Sequence, residues 1–186
     1  MKKILSVFLC FLLLFSFSVN ATYALSIEEQ AGEHLRKLGL YKGYEDGTLG
    51  LNRNITRAEF AALAVRIEGL ENSQEDNKGI TAFKDVAAEH WASGYVNIAT
   101  SKNLIKGFED KTYRPEAQVT YVQTLAVMIR ILGYEKDVVG EWPNNYINKA
   151  KELGLDKNIN LSADTPINRG QIAIIVNNAL GIKVAK

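Results

Sequence analysis

An all-α fold is predicted, with three helix-loop-helix repeats packed as a pseudo-threefold body around a central three-helix bundle. Three features carry this. A 32-residue block recurs without a gap at an offset of 64, a weaker third copy follows, and each copy writes the start of an apolar-striped helix. Repeats at such a period denote supersecondary units that bury a shared core, because one helix pair is too small to bury its own face.

The block is "GLYKGYEDGTLGLNRNITRAEFAALAVRIEGL" laid over "NLIKGFEDKTYRPEAQVTYVQTLAVMIRILGY". Gly43 meets Gly107, Asp46 meets Asp110, Thr56 meets Thr120, and Arg66 meets Arg130. In the third copy "EWPNNYINKAKELGL" overlays "HWASGYVNIATSKNL" at an offset of 51, and "INRGQIAIIVNNALG" overlays "ITRAEFAALAVRIEG" at 112. Its middle is shortened to "DKNINLSADTP".

The elements follow in order. Ile27, Ala31, Leu35 and Leu38 fall on one face of a first helix that ends at Gly39. Phe60, Leu63, Ala64 and Ile67 form the i, i+3, i+4, i+7 stripe of a second helix. Thr124, Val127, Met128 and Ile131 repeat that stripe, as do Ile172, Ile175, Val176 and Ala179. Three matched apolar faces predict that the second helices share the centre. The polar stretch "ENSQEDNKGIT" at 71–81 is expected to be an exposed, mobile linker.

Each second helix opens on a capping pair. Thr56 with Glu59, Thr120 with Gln123, and Asn168 with Gln171 all place a cap three residues ahead of a carboxylate or carboxamide. These residues therefore need no functional role. Arg57 and Arg169 do need one. A cation in a first turn opposes the helix dipole, whereas a guanidinium beside unpaired N–H groups makes an anion site. The competing reading is a solvated arginine, or one paired with a carboxylate such as Asp46. Copy two has Tyr121 at this position.

The "KGYEDGTLG" loop permits tight turns at Gly43 and Gly47, with Asp46 and Thr48 bonding the backbone. Tyr44 and Phe108 read as anchors for the loop. Trp91 and Trp142 open the first helices of copies two and three. Either they pack there with one edge exposed, or they offer a flat face to a sugar ring.

Composition narrows the classes. "MKK", then the 16-residue apolar run "ILSVFLCFLLLFSFSV", then "NATYA" reads as a secretory signal peptide cut after Ala24. The rival is an uncleaved membrane anchor. Cys10 lies in that run without a lipoprotein box before it, so the mature chain has no disulfide and no cysteine metal site. Without Lys2 and Lys3 the charge falls just below zero, and no basic cluster suggests nucleic acid. His34 and His90 have no catalytic or metal spacing, and His34 is expected to be a partly buried structural residue. No hydrolase, zincin or phosphate-loop motif occurs. An enzyme is not expected, nor is a cofactor or metal.

These segments resemble the S-layer homology family. "FKDVAAEHWA" (83–92), "LIKGFEDKTYRPEAQVT" (104–120), "GYEDGT" (43–48) and "ITRAEFA" (55–61) carry the likeness, which extends over nearly all of 25–186. It implies a signal peptide at 1–24, repeat one at 25–76 without its opening segment, repeat two at 83–136, and repeat three at 137–186 with a shortened loop. It implies a protein secreted and retained at the bacterial cell wall or surface layer. Its partner would be a secondary cell-wall polysaccharide, often pyruvylated, held noncovalently in grooves between repeats. No membrane contact is expected after signal cleavage, and other surface-layer proteins are further candidate partners. By this resemblance the ligand-binding residues are Arg57, Arg169, Asp46, Gly43, Trp91, Trp142, Asp110 and Gly107. Tyr121 and the lost copy-three loop leave at most two anion sites. No cargo sequence follows copy three, so the expectation is a module acting alone as coat or adaptor, or a shortened gene product. The rival function is an envelope protein–protein adaptor, which would show a contiguous apolar patch instead of an arginine beside an exposed aromatic.

Overall fold

The computed structural model describes residues 24–185, so the signal peptide expected at 1–24 lies outside the described residues but for Ala24. The fold is all-α. Among the described residues six α-helices follow in order: α1 (Ile27–Lys37), α2 (Arg57–Ile67), α3 (Ser93–Ser101), α4 (Tyr121–Ile131), α5 (Asn144–Leu153) and α6 (Arg169–Ala179). Single 3-10 turns follow α2 and α4, at Glu71–Ser73 and Glu135–Asp137.

The capping pairs do what their spacing requires. Thr56 Oγ1 accepts from Glu59 N at 3.2 Å, while Thr56 N donates to the Glu59 carboxylate at 2.8 Å. Asn168 and Gln171 close the same box at 2.8 and 3.1 Å. The Thr120 box is looser, with Thr120 N 3.4 Å from Gln123 Oε1. A fourth box, Ser26 with Glu29, opens α1 and was not anticipated from the sequence. α1 ends as expected, with Gly39 at a φ of 74°.

α2, α4 and α6 are each buried at eight of eleven positions, which places them at the centre rather than at a surface. α4 packs on both α2 and α6. The first helices surround them, but in a crossed order. α3 packs on α2, α5 on α4 and α1 on α6, so each covers a second helix belonging to a different sequence copy. On α1 only Ala31, Gly32 and Leu35 of the inner face are buried. Ile27 and Leu38 stay half exposed, because a helix lying on one neighbour buries a narrow stripe.

A closed hydrogen-bonded ring joins the three copies just ahead of the second helices. Ile55 N donates to Ile167 O, Ile167 N to Val119 O, and Val119 N to Ile55 O, at 3.4, 3.2 and 3.1 Å. All three residues are buried.

The 71–81 segment is not a loose linker. Glu71 accepts from Arg66 and Lys42, Asn97 Nδ2 donates to Asn77 O at 2.9 Å, and Gln74 O presses on Gly94, where any Cβ would collide with it. Polar composition predicted exposure, and residues 75–78 are exposed. The side chains at either end nevertheless tie the stretch to α2 and α3. His34 also departs from expectation: it is exposed, and its Nδ1 lies 2.5 Å from Asn177 Oδ1.

Candidate functional site

Arg57 begins α2, yet its guanidinium leaves that helix and enters the loop of copy two. Nε donates to Tyr113 O at 2.7 Å, Nη2 to Lys106 O at 3.0 Å and Nη1 to Gln123 Oε1 at 3.1 Å. The group lies over Tyr113 and Phe108, 4.6 and 4.9 Å from the ring centroids. Tyr113 returns the contact, its hydroxyl donating to Arg57 O at 2.7 Å. Arg57 is 8% exposed and forms no ion pair among the described residues. Burial pulls its pKa down, since desolvation disfavours the charged form.

Arg169 repeats the arrangement against the loop of copy one. Nε donates to Leu49 O at 2.8 Å and Nη2 to Lys42 O at 3.2 Å, with Tyr41 and Tyr44 at 4.4 and 5.2 Å. Leu49 and Lys42 are the residues 64 positions before Tyr113 and Lys106. The two clamps are one device written twice.

The helix N-termini do not supply the free N–H groups expected of an anion site. The first N–H groups of α2 are not available to an anion: Arg57 N donates to Ala117 O, Ala58 N to Pro115 O, and Glu59 N to Thr56 Oγ1. On α6, Arg169 N and Gly170 N are taken by Arg53 O and Leu51 O. Each copy's loop caps another copy's helix, so these N–H groups supply no attraction for an anion.

A groove of about 300 Å³ opens beside Arg57. Gly107 and Phe108 form one side, Arg130 and Val127 of α4 the floor, and Trp142, just ahead of α5, with Tyr146 of α5 the far wall. Trp142 is half exposed and stands edge-on to Tyr146 at 5.4 Å. Gly107 allows close packing: a Cβ there would lie 2.8 Å from Thr112 O and overlap Phe83. A charged network crosses the groove. Glu135 meets Arg130 and Lys106 at 3.3 Å each and accepts from the Tyr146 hydroxyl at 2.8 Å. Burial raises the Glu135 pKa, but the bonds from Tyr146, Arg130 and Lys106 outweigh it and hold the carboxyl below its ordinary range. Glu71 with Arg66, Lys42 and Tyr95 repeats this network, joined to the Arg169 clamp through Lys42, and the half-exposed Trp91 stands edge-on to Tyr95 at 6.3 Å.

The structure therefore gathers Arg57, Gly107 and Trp142 at one groove. Asp46 and Asp110 face their own loops instead. Asp110 accepts from Thr112 N at 3.0 Å and from the Thr112 hydroxyl at 2.5 Å, and Asp46 from the same atoms of Thr48 at 2.9 and 2.7 Å. Those bonds hold the Asp110 pKa down at about 2 and lower that of Asp46. Gly43 lies in the matching loop of copy one, its nearest obstacle the carbonyl of Thr48. Arg130, Gln123 and Tyr146 also line this groove, although the sequence marks Gln123 only as a cap and Arg130 only as a repeat match. A usable signal existed: Arg66 and Arg130 interrupt otherwise apolar helices at the same repeat position.

The family model for the S-layer homology domain matches residues 35–61 and 82–124. The chain is 42% identical over 157 residues to the middle cell wall protein of Brevibacillus brevis, and 40% identical over 156 residues to the surface layer protein of Brevibacillus choshinensis. These alignments cover 83% and 84% of this chain but 14% of each relative. The cellulosome-anchoring protein of Acetivibrio thermocellus is 31% identical over 166 residues, covering 80% of this chain and 36% of that protein. With the matched segments containing Arg57 and the copy-two loop that clamps it, the chain belongs to the S-layer homology family.

Proposed function

We propose that this protein is a non-catalytic cell-wall-anchoring module, a pseudo-threefold body of three repeats spanning 25–76, 83–136 and 137–186. It binds a secondary cell-wall polysaccharide through an anionic, pyruvylated sugar in the inter-repeat grooves, outside the cell and after loss of the signal peptide. The observation that carries this is Arg57, a buried guanidinium held by three neutral acceptors. A buried cation without a counter-ion is costly, and an incoming carboxylate relieves that cost. Trp142, half exposed across the groove, supplies the apolar face a pyranose ring stacks on. Arg169 and Trp91 provide the second such site. The relatives named for the cell wall, the surface layer and cellulosome anchoring support the same reading.

The test is retention on cell-wall sacculi. Protein should sediment with sacculi and stay in solution once the secondary polysaccharide has been stripped from them. Arg57→Ala with Arg169→Ala should reduce retention at least about tenfold, a loss of about 1.4 kcal/mol, without loss of helicity. Unchanged retention by that double variant would falsify the guanidinium assignment.

One observation favours the adaptor reading as the second choice. The C-terminal ends of α2, α4 and α6 frame an apolar groove of about 420 Å³, with Leu180 and Val184 about half exposed at its edge. Val184→Asp, at an exposed position on this face, would abolish a protein contact there and leave sacculus binding intact.

A further inference from the structure

The third groove lies between α1, α6 and the shortened loop of copy three. It has a volume of about 290 Å³, close to that beside Arg57. It is the same groove by position. Ile27, Ala31, Ile174 and Asn178 line it where Trp142, Tyr146, Ala126 and Arg130 line the first. Its chemistry differs throughout. The clamped arginine is replaced by Tyr121, a buried phenol whose pKa is raised to about 12 by burial and by the Asp156 carboxylate beside it. The floor arginine is replaced by Asn178, whose Nδ2 donates to Leu155 O and Lys157 O at 3.0 and 2.9 Å. No Arg, Lys, Asp or Glu lines the cavity.

What lines it instead is carboxamide. Gln30, Asn158, Asn177 and Asn178 surround a short apolar strip of Ile27, Ala31 and Ile174, with His34 bonded to Asn177 at the rim. Asn178 spends its amide N–H groups on Leu155 O and Lys157 O, and Gln30 Nε2 donates to Leu25 O at 2.6 Å, so the groove offers the donors of Asn158 and Asn177 with the acceptor oxygens of Gln30 and Asn178. That set matches ring hydroxyls and N-acetyl groups, and the apolar strip matches the C–H face of a pyranose. No Arg or Lys in this lining offers a carboxylate a partner.

We propose that this groove binds an uncharged pyranose residue, N-acetylated or carrying hydroxyls alone, and discriminates against the carboxylated sugar. It rests on the anchoring reading for the source of that sugar, a wall polymer whose uncharged residues reach one groove while its acidic residue occupies another. The site itself requires neither Arg57 nor Arg169.

The experiment is a titration of the isotope-labelled protein, followed by NMR of the side-chain amides, with N-acetylglucosamine as one probe and pyruvate as the other. N-acetylglucosamine at about 50 mM should shift the amides of Asn158, Asn177 and Gln30. The shifts should persist in about 0.5 M salt, where contacts between exposed charges are screened. They should also persist in the Arg57→Ala, Arg169→Ala variant. Asn177→Leu should weaken binding at least about fivefold, and Ile27→Trp, which restores the aromatic wall at an exposed position, should strengthen it about threefold. Absence of amide shifts, shifts confined to the Arg57 groove, or equal shifts with pyruvate would each overturn the proposal. Sacculus retention that depends on the arginines, found together with silent amides, would sink this inference alone. Amide shifts with arginine-independent retention would sink the anion-site reading and leave this one standing.

Discussion

Gln123 holds two positions at once. Its Oε1 accepts from Thr120 N, as the cap requires, and from Arg57 Nη1 at 3.1 Å. Copy one has Glu59 at the equivalent place, where it caps Thr56 well. Gln123→Glu is therefore compatible with the helix start, and it would put a carboxylate against the Arg57 guanidinium, one of the two charges proposed to draw the ligand. An internal ion pair would then compete with the ligand. Affinity for an anionic wall polymer should fall about tenfold while thermal stability holds or rises, read by sacculus sedimentation beside a melting curve. Equal binding would mean that the charge of Arg57 is irrelevant to the ligand. That Arg57 and Arg169 were special could be read from sequence, because a first-turn cation runs against the dipole. What they reach could not. Both clamp onto carbonyls of a loop in another copy, and spacing along one helix carries no information about a neighbour's backbone.

At the scale of elements, the second helices were legible because capping box and apolar stripe agree on their start and their inner face. Thr56→Ala should cost about 1 kcal/mol by chemical denaturation, as loss of a side-chain cap does. The loops were half legible. Asp46 reads as a turn-former, and its carboxylate and that of the matching Asp110 both point into their own loops, whereas the resemblance names both as ligand-binding residues. The same bonds fix a pH dependence. Asp110 is held at about 2 against an ordinary 3.8, first by the Thr112 hydroxyl and then by its N–H, and Asp46 is lowered likewise by Thr48. Glu71 is lowered from 4.5 because Lys42 and Arg66 outweigh its burial, and Glu135 shifts in the same direction. A depressed carboxylate contributes stability above its unfolded pKa and loses it as pH falls through the folded one. The melting temperature should therefore hold on acidification down to about 4.5 and decline from there toward about 2. Asp110→Asn should flatten the lower part of that decline, seen in circular dichroism melts across the range. A melting temperature insensitive to acid would show that these loops add nothing to stability.

For the whole molecule, the decisive feature is that the copies close on one another. A linear array of helical repeats couples each unit to its neighbours and lets the ends fray. Here α1 covers α6, the first helix against the last, and the Ile55, Val119 and Ile167 ring leaves none of the three copies outside it. Periodicity predicted a shared centre, yet the crossed order of the outer helices was invisible. The repeat boundary read from sequence identity does not coincide with the packing boundary, and α1 carries only a short buried stripe with which to announce a partner 140 residues away. Leu35 tests the closure. It is fully buried at the α1–α6 contact, so Leu35→Ala should destabilise the protein by about 2–5 kcal/mol. Trp91 and Trp142 are the only tryptophans, and they lie just ahead of α3 and α5, in the two copies other than that of α1. In a closed body, fluorescence from single-tryptophan variants at each site should lose its native signal at the same shifted denaturant midpoint, although neither tryptophan is on α1 or α6. If the Trp142 signal kept the parent midpoint while α1 melted early, the copies would be acting as independent units and the ring would hold no cooperative energy.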